Sequence, residues 1–233
     1  MGQLCRVIGN RLASLFPPGV VVEVATAVDE DERLLHEGEL AIMGTMVPAR
    51  RREFAAGRNA ARRALAQLGI PASPLLRQGT DRDIAWPEGI IGSISHTTGL
   101  RATACARVTP SLHSLGLDVE QAGPLGDDIV DTICRSDDLA LLGSFPPPWP
   151  SDWPRLLFAI KEAAYKAWYP VTRREISFQE MRITLDVAQR TFFAEVDGSV
   201  AADVRITGHF GWDEQFVYAG AVLTSSRPHV FTS

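Results

Sequence analysis

Between Asp152 and Tyr169 the apolar residues fall into two separate helical stripes. Leu157, Ile160, Ala164 and Trp168 recur at spacings of three and four, and Phe158, Glu162, Tyr165 and Tyr169 form a second row holding one carboxylate among aromatics. A helix that is apolar on two sides must be buried between layers, so the rest of the chain has to supply those layers. Pro170 is expected to stop it. The same segment carries the chain's two lysines, Lys161 and Lys166, while every other basic side chain is arginine. An ammonium is a compact point charge on a flexible stem and a guanidinium is a wide planar fork. Lysine kept only here suggests a site that needs the ammonium, to touch one phosphate oxygen or to move a proton. Glu162 lies beside Lys161 and four residues before Lys166, which makes it the first functional candidate. The same spacing also describes an ordinary exposed helix pair worth ~0.3–0.5 kcal/mol.

The remaining pattern is that of an α+β protein. Residues 20–28 read as a strand by their β-branched content, and 32–44 as a helix. Pro48 opens a strong helix to about Leu68, with Phe54, Ala61, Leu65 and Leu68 on its inner face, ended by Gly69 and Pro71. Strands are expected near 90–95 and 101–108, joined by Thr97-Thr98-Gly99, and again over 114–120, with a short helix over 126–135. Prolines 146–148, 150 and 154 mark a stiff loop. Residues 181–187, 191–197, 204–211 and 216–223 alternate as in an antiparallel sheet. Each half thus offers a long helix and several strands.

Composition narrows the function. A net charge of −5 and a pI near 5.6 argue against nucleic acid as the main partner. The arginines at 50, 51, 52, 58, 62 and 63 make a local basic stretch, which reads as a solvated helix face or as an anion site. Cys5, Cys105 and Cys134 fit neither a disulfide framework nor a zinc site, so a reducing cytoplasm is the expected home. No signal-peptide pattern, myristoylation motif or membrane-spanning run is evident. Phosphate-loop and dinucleotide-binding glycine motifs are absent.

Two further segments carry polar groups suited to chemistry. In Gly116-Leu117-Asp118-Val119-Glu120, strand alternation puts Asp118 and Glu120 on one face and Leu115, Leu117 and Val119 on the other. Two like charges there fit a hard divalent cation, Mg²⁺ above all, or else a strand emerging into water. Glu162 would complete such a metal set. In Gly92-Ser93-Ile94-Ser95-His96 a strand ends in a hydroxyl and an imidazole. Neighbouring strand residues face opposite ways, so Ser95 and His96 cannot form a nucleophilic couple, and phosphate binding suits them better.

Taken in order, these segments resemble the 4'-phosphopantetheinyl transferases of the larger, monomeric, enterobactin- and surfactin-synthetase-activating type. The matching pieces are Arg51-Arg52-Glu53-Phe54 with Gly57-Arg58, Trp86-Pro87, Gly92 to His96, Gly116 to Glu120, and Phe158 to Trp168. The resemblance implies a pseudodimer of two similar α+β lobes, residues 1–113 and 114–233, each with a long helix on a small, mainly antiparallel sheet and the active site in the cleft between them. It implies transfer of the phosphopantetheine arm of coenzyme A to a serine hydroxyl of an acyl or peptidyl carrier protein, with adenosine 3',5'-bisphosphate as by-product. Carriers of fatty acid, polyketide or nonribosomal peptide synthases are the implied partners, with no nucleic acid or membrane. Asp118, Glu120 and Glu162 match the family's Mg²⁺ carboxylates, with Mn²⁺ as an alternative metal. Glu162 and Lys166 match its catalytic pair, and Lys166 its pyrophosphate contact. Ser95 and His96 match phosphate contacts, and Arg50, Arg58 and Arg77 fall where relatives hold the 3'-phosphate and adenosine end. Two other readings keep the same residues: a pyrophosphate hydrolase acting on coenzyme A or a dinucleotide, and a non-catalytic carrier- or nucleotide-binding module. Thr97 stands where many relatives have cysteine, and Arg82-Asp83-Ile84-Ala85 replaces a Gly-x-Pro-like turn.

Overall fold

A computed structural model describes residues 2–44, 46–70, 77–78, 84–142, 153–198 and 204–225. The proline-rich stretch at 146–150 lies outside them. The chain is α+β and divides into two compact units, Met1–Val108 and Thr109–Ser233.

In the first unit, α1 (Gly2–Ala13) is followed by β1 (Val21–Val24), α2 (Glu37–Met43) and α3 (Pro48–Gln67). The two-residue strands β2 (Arg77–Gln78) and β3 (Ile84–Ala85) pair with each other. β4 (Ile90–Thr97) and β5 (Leu100–Arg107) form a hairpin, and β1 adds to β5 to give an antiparallel sheet of order β1-β5-β4. Gly99 takes φ 80 in the hairpin turn, a left-handed conformation that glycine adopts without steric cost. α3 lies on this sheet through a face of small residues, with Ala55, Ala56, Ala60, Ala61 and Ala64 fully buried beside Leu65. Small side chains let the helix sit close, so the unit is held by backbone proximity and dispersion rather than by bulky knobs.

Two expectations in this unit need correction. The strand read over 20–28 stops at Val24, because Asp29 Oδ2 accepts from Thr26 N (2.6 Å) and Thr26 Oγ1 (2.9 Å) and turns the chain into a 3₁₀ helix over Ala27–Glu30. The helix read over 32–44 is broken in two. Asp31 caps a 3₁₀ turn by accepting from Arg33 N at 3.0 Å, and α2 restarts only where Glu39 accepts from His36 N at 3.0 Å.

The second unit is a five-stranded antiparallel sheet with one long helix on it. Its strands are β6 (Ser114–Gln121), β7 (Met181–Asp186), β8 (Thr191–Val196), β9 (Val204–Trp212) and β10 (Phe216–Ser225), in the order β6-β10-β9-β8-β7. The helices are α4 (Asp127–Ile133), α5 (Ser136–Leu142) and α6 (Trp153–Thr172). The first apolar stripe of α6 is buried against β6 and β10. The aromatic stripe is half-buried. The helix expected over 126–135 breaks at Cys134, where Asp138 Oδ2 accepts from Arg135 N at 2.8 Å and starts α5. Pro170 does not end α6. Thr172 Oγ1 donates to the Trp168 carbonyl (3.1 Å) and Arg173 N to that of Tyr169 (2.9 Å), so the last turn is satisfied around the proline. Termination comes at Arg173, with φ 51.

The approach of β6 to α6 is set by Gly116. A Cβ there would overlap the Ala163 carbonyl oxygen and stand 2.8 Å from Ala167 N, both helix backbone that cannot step aside. Gly116→Ala is therefore expected to destabilise the protein by about 2–4 kcal/mol, through overpacking rather than lost contacts. Urea denaturation measures this, and unchanged stability would refute the close-approach argument.

Candidate active site

Because Gly116 seats β6 against α6 at Ala163 and Ala167, Asp118, two residues further along the strand, meets Lys166 in the same stretch of helix. Asp118, only 3% exposed, accepts from Lys166 Nζ at 2.6 Å. Lys166 Nζ also lies 3.5 Å from the Leu117 carbonyl. Glu120, two residues on, has Arg155 Nη1 at 3.8 Å from its Oε2. Arg155 is anchored by Nε to the Gly123 carbonyl (2.7 Å) and by Nη2 to that of Pro124 (2.8 Å). Asp118, Glu120, Glu162 and Lys166 thus form one electrostatic group.

The fields in this group follow from burial and like charge. Burial and then Asp118 push the Glu120 carboxyl up to about 7 from its ordinary 4.5, against the pull of Arg155 and Lys166. Burial also raises Glu162, with Lys166 lowering it and Asp118 raising it. Burial acts to lower Lys166, but the Asp118, Glu162 and Glu120 carboxylates outweigh it and hold the ammonium above its ordinary value. Three carboxylates share one ammonium, and the surplus negative charge makes proton loss costly. Among the described residues no trio of acidic, histidine or cysteine side chains is gathered tightly enough to hold a metal ion. Asp118 is bonded to Lys166, and Glu120 and Glu162 act on that ammonium through their charge. As a donor set they fit a hard divalent cation, being all oxygen and carrying an uncompensated charge.

Glu162 also lines a cavity of about 170 Å³ with Lys161, Tyr165, Ile176, Ser177, Phe178 and Met181. The other lysine has a different task from the one its rarity suggested. Lys161 is 0% exposed, and its Nζ donates to the Ile133 carbonyl (2.7 Å), Asp138 Oδ2 (2.9 Å) and the Phe178 carbonyl (3.0 Å). Three acceptors around one nitrogen is a geometry an ammonium satisfies and a planar fork does not. The lysine signal was therefore half structural.

In the first unit, Arg50 Nη1 lies 2.5 Å from His96 Nε2 and 3.2 Å from Glu53 Oε2. Ser95 is buried on the strand face opposite the exposed His96. Arg58 is 4% exposed, stacks over the Phe54 ring at 4.8 Å, and has Nε and Nη1 without hydrogen-bond partners. Burial lowers its pKa to about 10, with Glu39 opposing and Arg62 assisting. Arg77 sits in β2 opposite Ala85. The structure thus brings Arg50 to His96 and Asp118 to Lys166, with Glu120 and Glu162 coupled to that pair by charge. Sequence reasoning missed Arg155, which carries no motif, and the spacing role of Gly116, which a glycine two residues before an acid in a strand could have signalled.

Comparison with known proteins agrees with these segments. Residues 38–106 match the 4'-phosphopantetheinyl transferase N-terminal domain and residues 114–219 the 4'-phosphopantetheinyl transferase superfamily. The chain is 38% identical to 4'-phosphopantetheinyl transferase Svp of Streptomyces mobaraensis, over 86% of its own length and 82% of that protein. It is 32% identical to 4'-phosphopantetheinyl transferase PptT of Mycobacterium tuberculosis, over 94% and 98%. Enterobactin synthase component D of Salmonella typhi is 32% identical, over 67% of each chain. The chain belongs to the 4'-phosphopantetheinyl transferase family, and its activity is phosphopantetheinyl transfer. No helix among the described residues is long and apolar enough to cross a membrane.

Two outcomes are expected. Lys161→Met leaves Asp138 buried without its cation and should cost about 3–5 kcal/mol in chemical denaturation, where a loss under 1 kcal/mol would contradict the buried-tripod reading. The raised Glu120 pKa means that folding favours its protonated form, so this stabilisation is full below about 4.5 and lost as pH rises through about 7. In metal-free protein Glu120→Gln should therefore be more stable than the parent at pH 8, by of order 1–3 kcal/mol, with the advantage gone near pH 4. Thermal melts across that range check it.

Proposed function

We propose that this protein transfers the 4'-phosphopantetheine arm of coenzyme A to a serine hydroxyl of an apo acyl or peptidyl carrier protein, releasing adenosine 3',5'-bisphosphate. The observation that carries the proposal is the buried Asp118–Lys166 contact, with Glu120 and Glu162 electrostatically coupled to it. Asp118, Glu120 and Glu162 would hold Mg²⁺, and Mn²⁺ by the same chemistry. When bound, the cation supplies neutralising charge on the pyrophosphate.

The serine oxygen attacks the phosphorus that bears the pantetheine arm. The P–O bond to the adenosine-side phosphate breaks, and the electron pair leaves with adenosine 3',5'-bisphosphate. Glu162, directly or through one water, takes the serine proton. Ligation of the cation would lower the basicity that burial gives Glu162, which favours the route through a water. Lys166 places an ammonium on the leaving phosphate oxygen, a contact that a mobile point charge makes well. Arg50, Arg58, Arg77, Ser95 and His96 are assigned to the nucleotide end, where they supply position rather than chemistry. We assign these roles to an N-terminal lobe ending near 113 and a C-terminal lobe from 114 onward.

The test is intact mass spectrometry of an apo carrier protein incubated with this protein, coenzyme A and Mg²⁺. A gain of about 340 Da, lost with EDTA, is expected. Coenzyme A cleaved with no gain on any carrier would indicate a hydrolase instead, and intact coenzyme A a binding module. Asp118→Ala and Glu162→Gln should each lower kcat roughly 10²–10⁴-fold without unfolding the chain. Lys166→Arg should also lower kcat, and normal turnover in that variant would rule out a need for lysine geometry. Mg²⁺ competes with the proton at Glu120, so its affinity should weaken as pH falls through about 7.

A further inference from the structure

The arginines around the start of α3 are not engaged alike. Arg51 is held by both oxygens of Glu32, Nε at 3.0 Å and Nη2 at 2.5 Å. Arg62 is buried on Glu39, and Arg63 is shared by Glu23 and Asp29. These pairs are two-pronged or buried, and they tie α3 to the segments before it. Arg50 is different. Its contact with Glu53 is a single one at 3.2 Å between side chains 50% and 25% exposed. The other Glu53 oxygen stands 3.9 Å from Arg101 Nη2. Arg101 faces His96 across the β4–β5 hairpin, reaches Glu30 at 3.4 Å, and keeps a buried Nε without a hydrogen-bond partner. One carboxylate thus lies between two guanidiniums beside an imidazole, held by one 3.2 Å contact and one of 3.9 Å, while Arg52 nearby stands 4.0 Å from Glu30.

We propose that Glu53 is a displaceable counter-anion, holding the place of a ligand phosphate between Arg50 and Arg101 and limiting how tightly that phosphate is bound. This rests on the reading above that Arg50 and His96 hold the nucleotide end, and it adds Arg101 to that group. An exposed single-contact pair contributes little to stability. A phosphate dianion offers Arg50 and Arg101 two-pronged, charge-assisted bonds that one singly bonded carboxylate does not match. Expelling Glu53 costs the ligand part of that gain. The consequence is weaker retention of the nucleotide by-product, which must leave before the next coenzyme A enters. A ligand without the 3'-phosphate does not meet Glu53 and pays no such penalty.

Calorimetric titration of the full chain decides it, using adenosine 3',5'-bisphosphate and adenosine 5'-monophosphate against wild type and Glu53→Gln. The variant should bind the bisphosphate about two- to fivefold more tightly and the monophosphate as the wild type does, with the gain shrinking as salt is raised. A purely structural role would not separate the two ligands. Equal or weaker bisphosphate binding in a variant that melts like the parent overturns the proposal and makes Glu53 a positioning residue for Arg50. If wild type binds neither the bisphosphate nor coenzyme A, the nucleotide-end reading falls and this proposal with it. Glu53→Asp, which keeps the charge on a shorter stem, should fall between wild type and Glu53→Gln.

Discussion

The contact between Gly116 and the backbone of α6 at Ala163 and Ala167 sets the geometry on which the second unit's chemistry depends. A strand and a helix normally stand apart by the width of their side chains. Removing one side chain lets the two backbones close, and every group further along β6 inherits that proximity. Asp118 meets Lys166 because of it, and Glu120, partly buried two residues on along the same strand face, feels the Asp118 charge. Raised proton affinity at Glu120 and Glu162 is thus a result of packing as much as of charge.

The first unit reaches a similar end by other means. Its long helix is laid on the sheet by a run of alanines, so α3 and β4 come close enough for Arg50 to reach His96. The basic residues of α3 then divide by their partners. Those paired with Glu23, Asp29, Glu32 and Glu39 fasten β1, the two 3₁₀ turns and α2 to the helix, whereas Arg50 beside His96 makes a single exposed contact with Glu53. Arg58 belongs to neither set. It is buried, stacked on Phe54 and incompletely bonded, the sort of polar group that an anionic ligand would complete.

Much of this was legible before any coordinates. The long helices follow from their apolar periods, the hairpins from glycine and polar turns, and Asp118, Glu120, Glu162 and Lys166 from alternation on a strand and spacing on a helix. What escaped was local competition. Nothing in the β-branched run 20–28 announces that Asp29 will bend the chain at Thr26. Pro170 looked like a stop, but Thr172 and Arg173 rescue the carbonyls around it. The rarity of lysine pointed to both members of the pair as functional, yet Lys161 is a core residue whose neighbours come from three distant segments. Such long-range polar closure has no period and leaves no trace along the chain.

That closure has a further consequence for motion. Lys161 ties the end of α4, the start of α5 and the Phe178 turn to the middle of α6, and Gln179 reinforces it with three carbonyl contacts at Asp131, Thr132 and Cys134. One wall of the cavity beside Glu162 is therefore part of the same cooperative unit as the core, not a loop that frays on its own. Amide protons of the Phe178–Met181 turn would exchange with solvent on the timescale of global opening. A wall so anchored keeps its shape between turnovers.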